Sequence, residues 1–129
     1  MKILLLLVMI FMHIVDDYYL QGWLASAKQK LWWEQNAPDK LYKHDYIMAL
    51  FMHSFSWAFM IMIIPTIYAL TITVNVPLIV ILFVGNLLMH MIVDDMKANK
   101  KEINLVQDQL MHLAQIFITW IFLVAMHFT

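Results

Sequence analysis

A helix needs roughly 20 mostly apolar residues to cross a bilayer. Four stretches of this chain meet that requirement, at 3–24, 46–70, 77–94 and 105–128. Inside hydrocarbon a spanning segment must pair its own backbone donors and acceptors, which predicts a helix for each stretch. The composition agrees: the 129 residues are 64% hydrophobic and 13% charged, against about a quarter charged in soluble domains. The expectation is an all-α integral membrane four-helix bundle, a single domain over 1–129, with lipid as its first partner. A net charge of -1 gives no basis for binding nucleic acid, and the absence of cysteine excludes disulfides, iron–sulfur clusters and thiolate zinc sites. The twelve methionines suit helix packing in lipid.

The start of the chain imitates a secretory signal. Met1 and Lys2 precede an apolar run, and Ala25-Ser26-Ala27 resembles a cleavage site. The apolar part of a signal lies just before its cleavage site, whereas His13, Asp16, Asp17 and Gln21 intervene here. A retained first span is therefore expected.

Charge divides the loops. Lys28, Lys30, Lys40 and Lys43 fall in loop 25–45, and Lys97, Lys100 and Lys101 in loop 95–104. The connection around Asn75 and Pro77, with Thr71 and Thr73 before it, carries no charge, nor does the C-terminal tail. The positive-inside rule puts both lysine-bearing loops in the cytoplasm and both termini outside, with Lys2 outvoted. Trp23, Trp32, Trp33 and Tyr42 suit an aromatic belt there, and 24–35 reads as an amphipathic surface helix. Pro65 is placed to kink the second span.

Within the spans, polar residues recur at helical spacing. His13 and Asp17, His90 and Asp94, and Asp108 and His112 are each four apart; His53 stands alone in the second span. Residues four apart share a helix face. At 1.5 Å per residue, His13 lies roughly 16 Å from the outer end of its span and Asp17 about 22 Å. His90 lies roughly 20 Å from the outer end and Asp94 about 25 Å. His53 and His112 come to about 20 Å. Four helices thus deliver their polar groups to one layer, toward the cytoplasmic side.

The chain also echoes itself. Met12-His13-Ile14-Val15-Asp16-Asp17 parallels Met89-His90-Met91-Ile92-Val93-Asp94-Asp95, and Met52-His53 parallels Met111-His112. This suggests two pseudo-repeated helical hairpins, an arrangement that places a site at their interface. The echo is imperfect, since Ala49 stands where Asp108 stands in the other half and Asp45 is the nearest substitute.

A carboxylate at the bilayer centre costs about 2.5–3.5 kcal/mol on insertion scales. A divalent cation would compensate several, and imidazole with carboxylate suits zinc first, with iron or manganese as alternatives. The candidate ligands are His13, Asp17, His53, His90, Asp94, Asp108 and His112. They outnumber the four donors of one zinc. Either some aspartates orient histidines from behind, or two ions share bridging carboxylates.

Simpler readings exist for the neighbours. Asn86, four before His90, reads as interhelical glue. Asp16 and Asp95 point off the shared faces and read as interfacial or auxiliary. Each methionine before a histidine points about 100° away, against a copper(I) site. Ser54 beside His53 does not face it and is no nucleophile. His44 and His127 lie outside the layer. Lys28 and Lys97 read as surface lysines, with a weaker reading as contacts to a substrate phosphate.

Taken together, His13…Asp17-Tyr18-x-Leu20-Gln21, Lys28, His53, His90-x3-Asp94-x2-Lys97 and Asp108-Gln109-x2-His112 resemble an uncharacterised family of small bacterial and phage membrane proteins, a domain of unknown function, over nearly the whole chain. That resemblance implies a bacterial inner-membrane location. More faintly, the His/Asp pattern is similar to the membrane-bound metal-dependent hydrolases, which implies hydrolysis.

The leading expectation is a metal-dependent hydrolase of an amphiphilic lipid or lipid-linked substrate, phosphate-containing ones included. One or two ions would activate water, with Asp17 or Asp108 as general base. The alternatives are a metal-ion or proton transport element, and a structural or partner-binding protein stapled by a metal. A homo-oligomer is compatible with any of them.

Overall fold

The computed structural model describes residues 2–71 and 75–126. Met1, Thr73, His127 and Phe128, which entered the sequence reading, lie outside them. Every regular element among the described residues is helical: α1 (Lys2–Ile14), α2 (Leu24–Ala27), α3 (Lys30–Asn36), α4 (Asp45–Leu70), α5 (Val76–Ala98) and α6 (Leu105–Met126), with a π-helical turn at Val15–Leu20 and a 3-10 turn at Lys40–Tyr42. Four helical stretches are long and apolar enough to cross a membrane: Lys2–Leu20, Lys40–Leu70, Val76–Ala98 and Leu105–Ala125.

Local chemistry sets the boundaries. The first span ends four residues before the expected 24, because Gly22 adopts φ 52°, a left-handed conformation that glycine enters without steric cost. At α5 the Asn75 side chain accepts from the Leu78 backbone N–H at 3.2 Å, and Pro77 occupies the first turn, where no N–H is needed. A reciprocal capping box starts α6. Asn104 Oδ1 accepts from Gln107 N at 3.0 Å, and Gln107 Oε1 accepts from Asn104 N at 2.9 Å. The third span continues past the expected end at 94 to Ala98, so Lys97 sits on the helix and not in a loop.

The central element is α4. Ala49, His53, Trp57, Ile61, Pro65 and Ala69 form one buried row at spacing four, and Leu50, Ser54, Ala58 and Met62 form the row beside it. Two adjacent rows let α4 pack on α1 and α5 together, while α6 touches α1 and α5 and closes the ring. The helix continues through Pro65. Phe51, Phe55, Phe59, Val84, Leu88 and Phe117 point outward and are exposed, which suits a lipid surround.

Two layers fill the ring. Met9, Trp57, Ala58, Ile61, Met62, Leu87, Ile116 and Leu123 form an apolar core. The polar cluster lies beside it, nearer the end that carries α2, α3 and residues 99–104. One buried amide network breaks the apolar layer. Asn86 Nδ2 donates to Thr119 Oγ1 at 2.9 Å, and Gln115 Nε2 donates to Asn86 O at 2.7 Å and to its Oδ1 at 3.0 Å. Asn86 is thus glue between α5 and α6, as its spacing suggested.

The expected surface helix over 24–35 is instead two short helices. They break at Gln29, whose backbone is extended. Trp33 Nε1 donates to Ala27 O at 2.6 Å across the break. Asn99, at the end of α5, donates to Lys28 O at 3.1 Å and accepts from Lys30 N at 2.7 Å. That amide grip holds the Lys28 segment against the bundle.

Candidate metal centre

Asp94 is the hub of the polar cluster. Its Oδ2 accepts from Lys28 Nζ at 2.6 Å and lies 3.3 Å from His53 Nε2. Its Oδ1 lies 3.3 Å from His112 Nε2 and 3.7 Å from His90 Nε2. His53 Nε2 is also 3.2 Å from Asp17 Oδ1 and 3.1 Å from His90 Nε2. His112 Nε2 is a further 3.3 Å from Asp108 Oδ1. Three histidine Nε2 atoms and three carboxylates therefore converge from all four spans.

Helix spacing explains most of this convergence. Asn86, His90 and Asp94 stand in one row on α5, and Asp108 and His112 in one row on α6. Ring stacking holds the imidazoles. The His90 centroid lies 4.2 Å from those of Trp57 and His112, at interplanar angles of 18° and 28°, and Trp57 and His112 are 5.5 Å apart, so the three rings form a triangle.

The donor set fits a divalent ion. Within Asp17, His53 and His90, within His90, Asp94 and His112, and within Asp17, Asp108 and His112, one ligand atom per residue lies within 4.8 Å of the others. The sharpest sign is His112 Nε2. It is buried and sits 3.3 Å from two carboxylate oxygens, yet it makes no hydrogen bond among the described residues. Its nitrogen is close enough to both oxygens but is not aimed at either. Such a grouping is expected of donors that share a cation. Nitrogen and carboxylate donors without sulfur match zinc, iron or manganese.

His13, expected among the ligands, belongs to none of these groups. Trp57 Nε1, which can only donate, donates to His13 Nδ1 at 2.7 Å. Gln109 Nε2 donates to Asp17 Oδ2 and Asp108 Oδ2, each at 3.0 Å, so its Oε1 faces His13 Nε2 at 3.0 Å. His13 Nε2 therefore carries the proton, and neither ring nitrogen has a lone pair left for an ion. His13 is the middle of a one-way relay that aims Gln109 at two carboxylates.

Asp16 corrects the sequence reading in the other direction. It is buried, accepts from Ser56 Oγ at 2.5 Å, and places Oδ2 3.8 Å from His53 Nδ1. The four-residue rule pointed it off the face because that rule assumes α geometry. Asp16 and Asp17 both lie in the π-helical turn, whose i→i+5 bonding widens the turn and lets two consecutive carboxylates face inward. Asp95 stays at the flank, accepting from Asn99 Nδ2 at 2.8 Å and lying 3.6 Å from Lys100 Nζ.

Lys28 is not a surface lysine, and Lys97 is half-buried. Lys28 is 9% exposed and paired with Asp94, and Lys97 donates to Asp108 Oδ2 at 2.8 Å. Both ammonium groups are engaged with carboxylates, which leaves less for a substrate phosphate than the sequence suggested. Gln109 and Trp57 were missed as site residues. Gln109 follows Asp108 directly and carried a signal only as part of the Asp-Gln pair. His44 is exposed and outside the cluster.

Compared with protein families, curated proteins and solved structures, the chain matches none.

Proposed function

We propose that this chain is a membrane-embedded, metal-dependent hydrolase of an amphiphilic lipid or lipid-linked substrate, working at the cytoplasmic face of the inner membrane. The observation that carries the reading is the convergence of His53, His90, His112, Asp17, Asp94 and Asp108 at the lysine-rich end of the bundle, with His112 Nε2 buried and unbonded. The lysine-bearing loops support that orientation through the positive-inside rule. The aromatic group of Trp23, Trp32, Trp33 and Tyr42 supports a depth at headgroup level.

His53, His90, His112 and Asp94 would hold the ion. When bound, a divalent ion supplies Lewis acidity and makes water nucleophilic at neutral pH. Asp108 is suited to the general base. Its Oδ2 is fixed by Lys97 and Gln109, while its buried Oδ1 has no hydrogen bond among the described residues. Asp17, held by Gln109, is the alternative base. Hydrolysis balances as follows: the water oxygen bonds to the acyl or phosphoryl centre, the bond to the leaving oxygen breaks, and the proton taken by the carboxylate passes to that oxygen.

The test is turnover of phospholipid and lipid-phosphate substrates in mixed micelles, with the metal content of each sample measured in parallel. Wild type should hydrolyse at least one class, and His90→Ala or Asp94→Ala should abolish it. Turnover that persists in either variant sinks the proposal.

A further inference from the structure

We propose that the cluster holds a single divalent ion, and that Lys28 and Lys97 are built-in cations occupying the charge positions of a second. This rests on the metal-centre reading above.

Charge gives the first argument. The side chains of Asp16, Asp17, Asp94 and Asp108 are at most 6% exposed. In a surround of protein and lipid, unbalanced charge is costly. Two ammonium groups answer four carboxylates: Lys28 on Asp94 at 2.6 Å and Lys97 on Asp108 at 2.8 Å. With the histidines neutral, as ligation requires, two negative charges remain. One divalent ion closes that balance. Two ions would leave the enclosure with two positive charges.

Donor geometry gives the second. The three donor groups are not independent, because any two share one residue: His90, His112 or Asp17. A ring Nε2 has one lone pair and serves one ion, so only Asp17 could bridge. Its Oδ2 accepts from Gln109 Nε2 at 3.0 Å, and its Oδ1 sits 3.2 Å from His53 Nε2. While Lys28 holds Asp94 Oδ2 and Lys97 holds Asp108 Oδ2, the overlapping groups serve one ion; freeing those two oxygens would supply donors for a second. His112 Nε2, fully buried and without a hydrogen bond among the described residues, points independently to a ligand there.

The lysines differ in cover. Lys28 is clamped under Asn99, while the Lys97 side chain is 34% exposed. Neutralising both leaves four negative charges, which two divalent ions would balance.

The experiment uses the full chain in detergent, saturated with zinc alone, desalted and analysed for zinc per chain. Wild type should retain one, and Lys28→Met/Lys97→Met should retain two. Lys28→Arg/Lys97→Arg, which keeps both charges, should return to one. Two ions in wild type overturn the inference and leave the metal centre standing, as does a methionine double variant that stays at one. No zinc in wild type overturns the metal centre itself. The wild-type count decides the stoichiometry even where a variant fails to fold.

Discussion

His53 Nε2 and His90 Nε2 face one another at 3.1 Å, one from α4 and one from α5. Two imidazole nitrogens make such a contact only when one is protonated or when both lone pairs turn to a shared cation. Asp17 and Asp94 lie within 3.3 Å of the same His53 nitrogen, so the pair sits in a field that attracts positive charge. Loading should therefore stabilise the bundle. At a free ion concentration a hundred times the Kd, the gain is about 2.7 kcal/mol. Thermal unfolding in detergent, with zinc and after chelation, should show Tm several degrees higher in the loaded protein.

Gln109 is expected to position carboxylates and not to bind the ion. Gln109→Leu strips a donor from Asp17 and from Asp108 at once. Loss of such outer partners costs about 10–100-fold in metal affinity, and competition against a chelator should read a fall in that range. Gln109→Glu puts a further carboxylate against the same two, and should lose at least as much.

Trp57→Phe separates the two jobs of the indole. The ring that stacks on His90 is kept, and the N–H that fixes His13 is lost. Stability should fall by about 1 kcal/mol, the net worth of one hydrogen bond. The structural signature is the His13 tautomer, read by nitrogen NMR. Wild type should carry the proton on Nε2 alone, and the variant should show a mixture.

Asn86→Leu is the complementary case. Asn86 ties α5 to α6 through Thr119 and Gln115, one turn from His90. Interhelical hydrogen bonds in membranes are worth about 0.6 kcal/mol on average, to about 1.7 at most. The variant should lose roughly 1–2 kcal/mol across two such bonds while zinc affinity holds within about twofold. A larger drop in affinity would place Asn86 in the site.

These residues also show what a sequence can reveal about such a protein. The four spans were legible because apolar length alone specifies them. The convergence of His90 with Asp94 and of Asp108 with His112 was legible because α-helical spacing is rigid. Asp16 was misplaced because a π-helical turn is set by backbone bonding that the residue types of 15–20 do not announce. His13 looked like a ligand because its type and depth matched those of His90. Only the positions of Trp57 and Gln109, 44 and 96 residues away in the chain, show that both its nitrogens are used. Lys28 looked like a surface residue because lysine in a loop usually is one. The break at Gln29, gripped by Asn99 from 70 residues further on, turns it inward.

The most direct measurement is elemental analysis of protein purified without chelator, with wild type beside His90→Ala and His44→Ala. His90 sits in two of the three donor groups, and His44 is exposed on the loop side. The account predicts one zinc, iron or manganese ion per chain in wild type and in His44→Ala, and its loss in His90→Ala. Equal metal in all three samples, or none in wild type, would contradict it.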